Sequence, residues 1–150
     1  MKTSSAGLSI IKKWEGFRSK PYLCPAGVAT IGYGSTVYPD GRAVSLRDPS
    51  ITEAQSVEIL AATLVKYEDA VRRYTANAKK PINQNQFDAL VSFAYNVGIG
   101  NLQKSSLLRL VNAGNFAGAG REFGKWVFAK GKKLQGLVDR RADEAHLFMS

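Results

Sequence analysis

The chain has 150 residues, 45% of them hydrophobic, with one cysteine and a formal net charge of +9. That length supports one domain burying roughly 70% of its unfolded surface, and a lone cysteine excludes an internal disulfide and fits synthesis in a reducing compartment. No stretch approaches the roughly 20 apolar residues of a membrane span, and zinc-finger, aromatic RNA-binding and helix-turn-helix patterns are missing. The basic charge therefore points to a polyanionic surface and away from nucleic acid.

In chain order, Ser4 or Ser5 caps a first helix whose apolar side carries Ile10, Ile11 and Trp14, and Gly16 stops it. From Pro21 to Val44 the residues turn β-like. Val28-Ala29-Thr30-Ile31 alternates as a strand does, and Pro39-Asp40-Gly41 is turn chemistry between Val37-Tyr38 and Ala43-Val44. A small hairpin or three-stranded sheet is predicted there. Thr52-Glu53-Ala54-Gln55 is a capping box, and it opens a long helix with Val57, Leu60, Leu64, Tyr67, Val71 and Tyr74 on one face.

Asn83 and Gln86 form a second box-like start. The helix that follows, with Phe87, Leu90, Val91, Ala94 and Val97, is apolar around much of its circumference and is predicted to be central, with Gly98 and Gly100 stopping it. Three shorter helices are predicted near Ser106–Val111, Phe116–Val127 and Leu137–Phe148. The sum is α+β in one domain, residues 1–150. A β lobe covers about 17–50, and a helical lobe covers about 52–150 plus the first helix, the two joined by the long helix. A denser basic patch collects Lys125, Lys130, Lys132, Lys133, Arg140 and Arg141.

Three residues stand out for chemistry. Glu15 falls at the C-terminal end of the first helix, where the negative end of the helix dipole disfavours a charged carboxylate and suits a group that hands over a proton. A Glu paired with an Arg fits the same position. Cys24, between Pro21 and Pro25, is either a small buried hydrophobe or a reactive thiol. Thr30 sits on a strand, its preferred place. Gly32 and Gly34 around Tyr33 suggest close backbone approach. No Cys/His/Asp cluster suggests a metal, and His146 is assigned no role.

Taken together, Trp14-Glu15-Gly16-Phe17, Pro21-Tyr22, Gly27–Gly34, Gln86–Gly98, Ser105–Leu108 and Gly136–Glu144 are similar in kind and order to the phage-type lysozymes, the endolysins. The spacing of Glu, eight residues, Asp or Cys, five residues, Thr carries the likeness most specifically. The resemblance implies a lysozyme-like fold, no cofactor, and hydrolysis of the β-1,4 bond between N-acetylmuramic acid and N-acetylglucosamine in peptidoglycan. It implies Glu15 as proton donor, Cys24 as base or nucleophile and Thr30 as the holder of water, with sugar contacts at Gly34, Tyr95, Asn96 and Ser106. Family members commonly have Asp at position 24 and His at position 35; this chain has Cys24 and Ser35.

Arg140 or Arg141 is the expected source of positive charge to ionise Cys24, and Ser35 is expected to affect stability only. The expected partner is the peptidoglycan of Gram-negative bacteria with their anionic surface, met by a monomer. The N-terminus, Met1–Ser5, has no apolar signal run, so release from the host cytoplasm to the wall is expected through a separate pore. A lytic transglycosylase and a non-catalytic wall-binding protein are the alternative functions.

Overall fold

The computed structural model describes residues 1–150. Its elements are α1 (Ser5–Glu15), β1 (Arg18–Leu23), β2 (Ala29–Gly32), α2 (Glu53–Tyr74), α3 (Gln84–Val97), α4 (Ile99–Lys104), α5 (Ser106–Asn112), α6 (Phe116–Glu122), a 3-10 turn (Phe123–Lys125), β3 (Phe128–Ala129), β4 (Lys132–Lys133) and α7 (Gln135–Phe148). The class is α+β. The chain divides into two compact units, one made of Met1–Ile10 and Tyr67–Ser150, the other of Ile11–Lys66. No helix is long and apolar enough to cross a membrane.

In the smaller unit β1 and β2 form an antiparallel pair in which Arg18 faces Gly32, Tyr22 faces Thr30 and Leu23 faces Ala29. Four steps along β1 match two along β2, so the strand is bulged between Arg18 and Tyr22. Such a bulge bends the strand and re-aims its side chains. The Ser19 carbonyl in the bulge accepts from Ile51 N–H at 2.9 Å. Single bridges Ile31–Ser35 and Val37–Ala43 replace a third strand. Ile31 and Tyr33 are buried here, and the Tyr33 ring lies 5.8 Å from that of Phe17. Thr52 and Gln55 exchange the two hydrogen bonds of the expected capping box, at 2.8 and 3.1 Å.

Ser35 is fully buried and hydrogen-bonds to Thr63 Oγ1 at 2.9 Å. A hydroxyl that meets a hydroxyl gives this position a structural task in the unit's interior.

In the larger unit α3 is the centre. Every residue from Gln86 to Ala94 is buried, so that stretch of the helix has no solvent face. Asn83 caps it with the full reciprocal box to Gln86. Phe87, Phe93 and Phe123 are among its fully buried rings, and Phe93 meets both Phe123 and Trp126 edge-on.

Four expectations change. Ser4 does not cap α1 with its hydroxyl, which donates instead to Asp88, as its amide does at 3.0 Å. Gly100 lies inside α4 and not at a helix end. The helix predicted over Phe116–Val127 ends at Glu122, because the chain tightens to a 3-10 turn and then turns back as the β3–β4 hairpin. Arg140 and Arg141 leave the basic patch altogether: they are 3% and 1% exposed, held by Glu144 and Ser92 from within the unit.

The packing of α1 on Asp88 makes one test simple. Ala is normally the better helix residue by about 1 kcal/mol. At Gly7, however, a Cβ would lie 2.7 Å from Thr3 Cγ2 and 2.8 Å from Asp88 Cβ. Gly7→Ala is expected to destabilise by about 1–3 kcal/mol through overpacking, read as a lowered midpoint in thermal unfolding.

Candidate functional site

The first helix ends at Glu15 because Gly16 takes φ 72°, a left-handed turn open to glycine, and its N–H closes the helix on Lys12 O at 3.0 Å. Glu15 is half-buried. The chain then enters β1 without a long loop, which brings the end of the helix and the hairpin into one local unit. Cys24 follows β1 directly. Its N–H donates to Val28 O at 3.0 Å, and its carbonyl accepts from Gly27 N–H at 2.8 Å. The tip of the hairpin is therefore a tight turn with Gly27 at φ 80°.

Alternation sets the faces. Tyr22 and Thr30 are cross-strand partners and so project to one side. Cys24 is two residues past Tyr22 and projects with it. Thr30 is 2% exposed, and its hydroxyl donates to Val28 O at 2.9 Å. The Thr30 side chain is also among the groups that lower the Cys24 pKa. Alternation thus puts Cys24 and Thr30 on one face of the hairpin.

The electrostatics come from the turn itself. Backbone hydrogen bonding from Val28 holds the Cys24 thiol below its ordinary pKa, with help from Ala26 and the Thr30 hydroxyl, against a smaller opposing effect of burial. The expected cation is not the cause. Arg140 and Arg141 are committed to Glu144, and the ionising influence on Cys24 is the local array of backbone dipoles.

Tyr22 joins the group, although the sequence reading gave it no role. Burial pushes its phenol above the usual range, and the charges of Glu15 and Cys24 push the same way against Arg18. The Arg18 guanidinium stacks 4.1 Å from the Tyr22 ring centroid. Tyr22 therefore feels the charge of both Glu15 and Cys24. Its signal in the sequence was the two-residue step to Cys24 on a strand.

The remaining candidates fall in two places. Gly34 belongs to the same unit, at φ 87° in the tight turn closed by Ile31 and Ser35. Tyr95, Asn96 and Ser106 belong to the larger unit. The Tyr95 ring meets Tyr67 edge-on at 5.1 Å. Asn96 is exposed, and its Oδ1 accepts from Arg141 Nη2 at 2.7 Å. Ser106 is exposed at the start of α5, whose capping hydroxyl is that of Ser105.

Solved structures of the same architecture are well defined. The chain aligns over 100% of its length with 99% of a mutant P22 lysozyme, at 36% identity and a TM-score of 0.86. It aligns over 99% of its length with 98% of the muramidase domain of SpmX from Asticaccaulis excentricus, at 35% identity and a TM-score of 0.85. The fold is lysozyme-like α+β. Residues 12–144 match the family model for phage lysozyme. Across the whole chain, identity is 38% to the endolysin of Salmonella phage P22, of which 99% is covered. It is 41% to the endolysin of Bacillus phage B103. The chain spans 55% of the length of that Bacillus phage relative. It belongs to the phage lysozyme family.

Proposed function

We propose that this protein is a muramidase of the endolysin type, hydrolysing the β-1,4 bond between N-acetylmuramic acid and N-acetylglucosamine in bacterial peptidoglycan. The observation that carries the reading is the single hairpin face of Tyr22, Cys24 and Thr30, entered directly from the helix that ends at Glu15. Glu15 gives its proton to the glycosidic oxygen as the bond to the anomeric carbon breaks. Water, held by the lone pairs of Thr30 Oγ1, attacks that carbon and loses its proton to Cys24 as thiolate. Gly34, Tyr95, Asn96 and Ser106 contact the sugars. The near-complete overlap with the Salmonella phage endolysin supports a Gram-negative wall as substrate. The protein acts as a monomer that reaches the wall from the host cytoplasm through a separate pore.

Mass spectrometry of digested Gram-negative peptidoglycan tests this. Wild type is expected to yield fragments with reducing muramic acid ends, and Glu15→Gln is expected to lose about 100-fold or more of that activity. Anhydro ends would replace the hydrolase reading with a lytic transglycosylase, and fragments of neither kind would leave a binding protein.

A further inference from the structure

The stretch from Phe123 to Val138 contains four lysines and no carboxylate. Within it the chain turns back at Lys130-Gly131, both at positive φ (51° and 78°), so that Phe128 faces Lys133 and Ala129 faces Lys132. The base is anchored by buried Val127, whose carbonyl accepts from Leu134 N–H at 3.0 Å. Beyond that anchor every residue from Phe128 to Gly136 is exposed.

Phe128 is 62% and Leu134 43% exposed. Lys125 is paired with Glu122 at 2.9 Å, whereas Lys130, Lys132 and Lys133 have no carboxylate partner. Beside the hairpin lies a cavity of about 310 Å³ lined by Gly120, Arg121, Gly124, Val127, Lys133 and Val138 among others, and its charged lining residues are all cations.

We propose that the β3–β4 hairpin is a docking surface for an anionic phospholipid bilayer. Phe128 and Leu134 enter the headgroup region while Lys130, Lys132 and Lys133 meet lipid phosphates, and the cavity with Arg121 and Lys133 at its wall seats a headgroup. Charge complementarity selects a polyanion. The exposed aromatic beside the cations selects a lipid surface over a soluble phosphate polymer, because a polymer in water rewards the lysines alone. None of the residues proposed for the glycosidase reaction lies in this hairpin.

Co-sedimentation with vesicles of phosphatidylcholine alone and of equal parts phosphatidylcholine and phosphatidylglycerol tests the proposal. Wild type is expected to bind the mixed vesicles only, less so as salt rises. Lys132→Glu with Lys133→Glu is expected to lose about fivefold in partitioning per lysine. Phe128→Ala is expected to lose about tenfold while digesting soluble peptidoglycan fragments as wild type does.

Lys79→Glu with Lys104→Glu makes the same charge change at exposed sites elsewhere and is expected to keep most binding. An equal loss in that control would overturn the proposal, as would full binding by Phe128→Ala. Binding to poly(glycerol phosphate) without binding to vesicles would transfer the surface to a wall polymer and also overturn it. Glu15→Gln is expected to partition like wild type, which separates this outcome from the fate of the muramidase reading.

Discussion

Cys24→Ser is expected to lower the rate of peptidoglycan hydrolysis about 100-fold or more, while Cys24→Asp is expected to keep much of it. Loss of a positioned base costs about 10²–10⁴ in rate. Serine keeps the size and the hydrogen bonds of the turn but not the acidity. Aspartate restores an ionised acceptor at the same place. The pH dependence follows with a definite sign. With the Cys24 thiolate as the proposed base, activity is expected to rise with pH through the thiol pKa. Hydrogen bonding from the Val28 backbone holds that pKa low, so the rise falls below the ordinary thiol value of about 8.5.

In Cys24→Asp the same limb moves down into the carboxylate range, and the rate is flat where wild type still climbs. Initial rates on soluble peptidoglycan fragments across pH, for the three proteins, check both statements. A serine variant with wild-type rates would remove Cys24 from the reaction.

Glu144→Gln is expected to be the most damaging single change to the larger unit. Glu144 is fully buried. Its Oε2 accepts from Ser92 Oγ at 2.6 Å and from Arg140 Nε at 3.2 Å. Its Oε1 lies 2.7 Å from Arg141 Nε, close enough to pair as charges but not aligned as a hydrogen bond. Burial pushes the Glu144 carboxyl up and the Arg141 guanidinium down, and each charge pulls the other back.

A neutral glutamine leaves two guanidiniums in the interior without their counter-charge. Breaking one side of a buried ion pair costs about 3–5 kcal/mol. In a chain of this size that lowers the unfolding midpoint by on the order of 10 °C, measurable by calorimetry. Arg141 also donates to Asn96, so the variant is expected to loosen Asn96 as well.

The contrast between these two sites shows what a sequence makes legible. Glu15, Cys24 and Thr30 fall in one helix-to-hairpin unit because they are near in the chain: a helix ended by a left-handed glycine, a bulged strand and a two-residue alternation. The two capping boxes, Thr52/Gln55 and Asn83/Gln86, are equally local and stand as read. Arg140 and Arg141 were misread because their burial depends on Ser92, some fifty residues away, and on Glu144 turning inward. Their spacing to Glu144 of four and three residues was visible, but on a surface helix the same spacing describes a solvated pair.

The β3–β4 hairpin was missed for the opposite reason. Its strands are two residues long, and Lys132-Lys133 carries no β preference. Tyr22 carries no chemical signal of its own in the sequence, and the bulge in β1 that sets its register is announced by no alternation pattern.

Because α3 shows no face to solvent from Gln86 to Ala94, its polar members are as confined as its apolar ones. Asp88 accepts from Ser4 and Gln84, Ser92 from Arg140, and Gln86 closes its own cap. An ordinary surface helix lets substitutions accumulate on every third or fourth residue. This segment offers no such outlet, so sequence drift in the protein must go around it, and variation should be pushed into the exposed turns at either end of the helix.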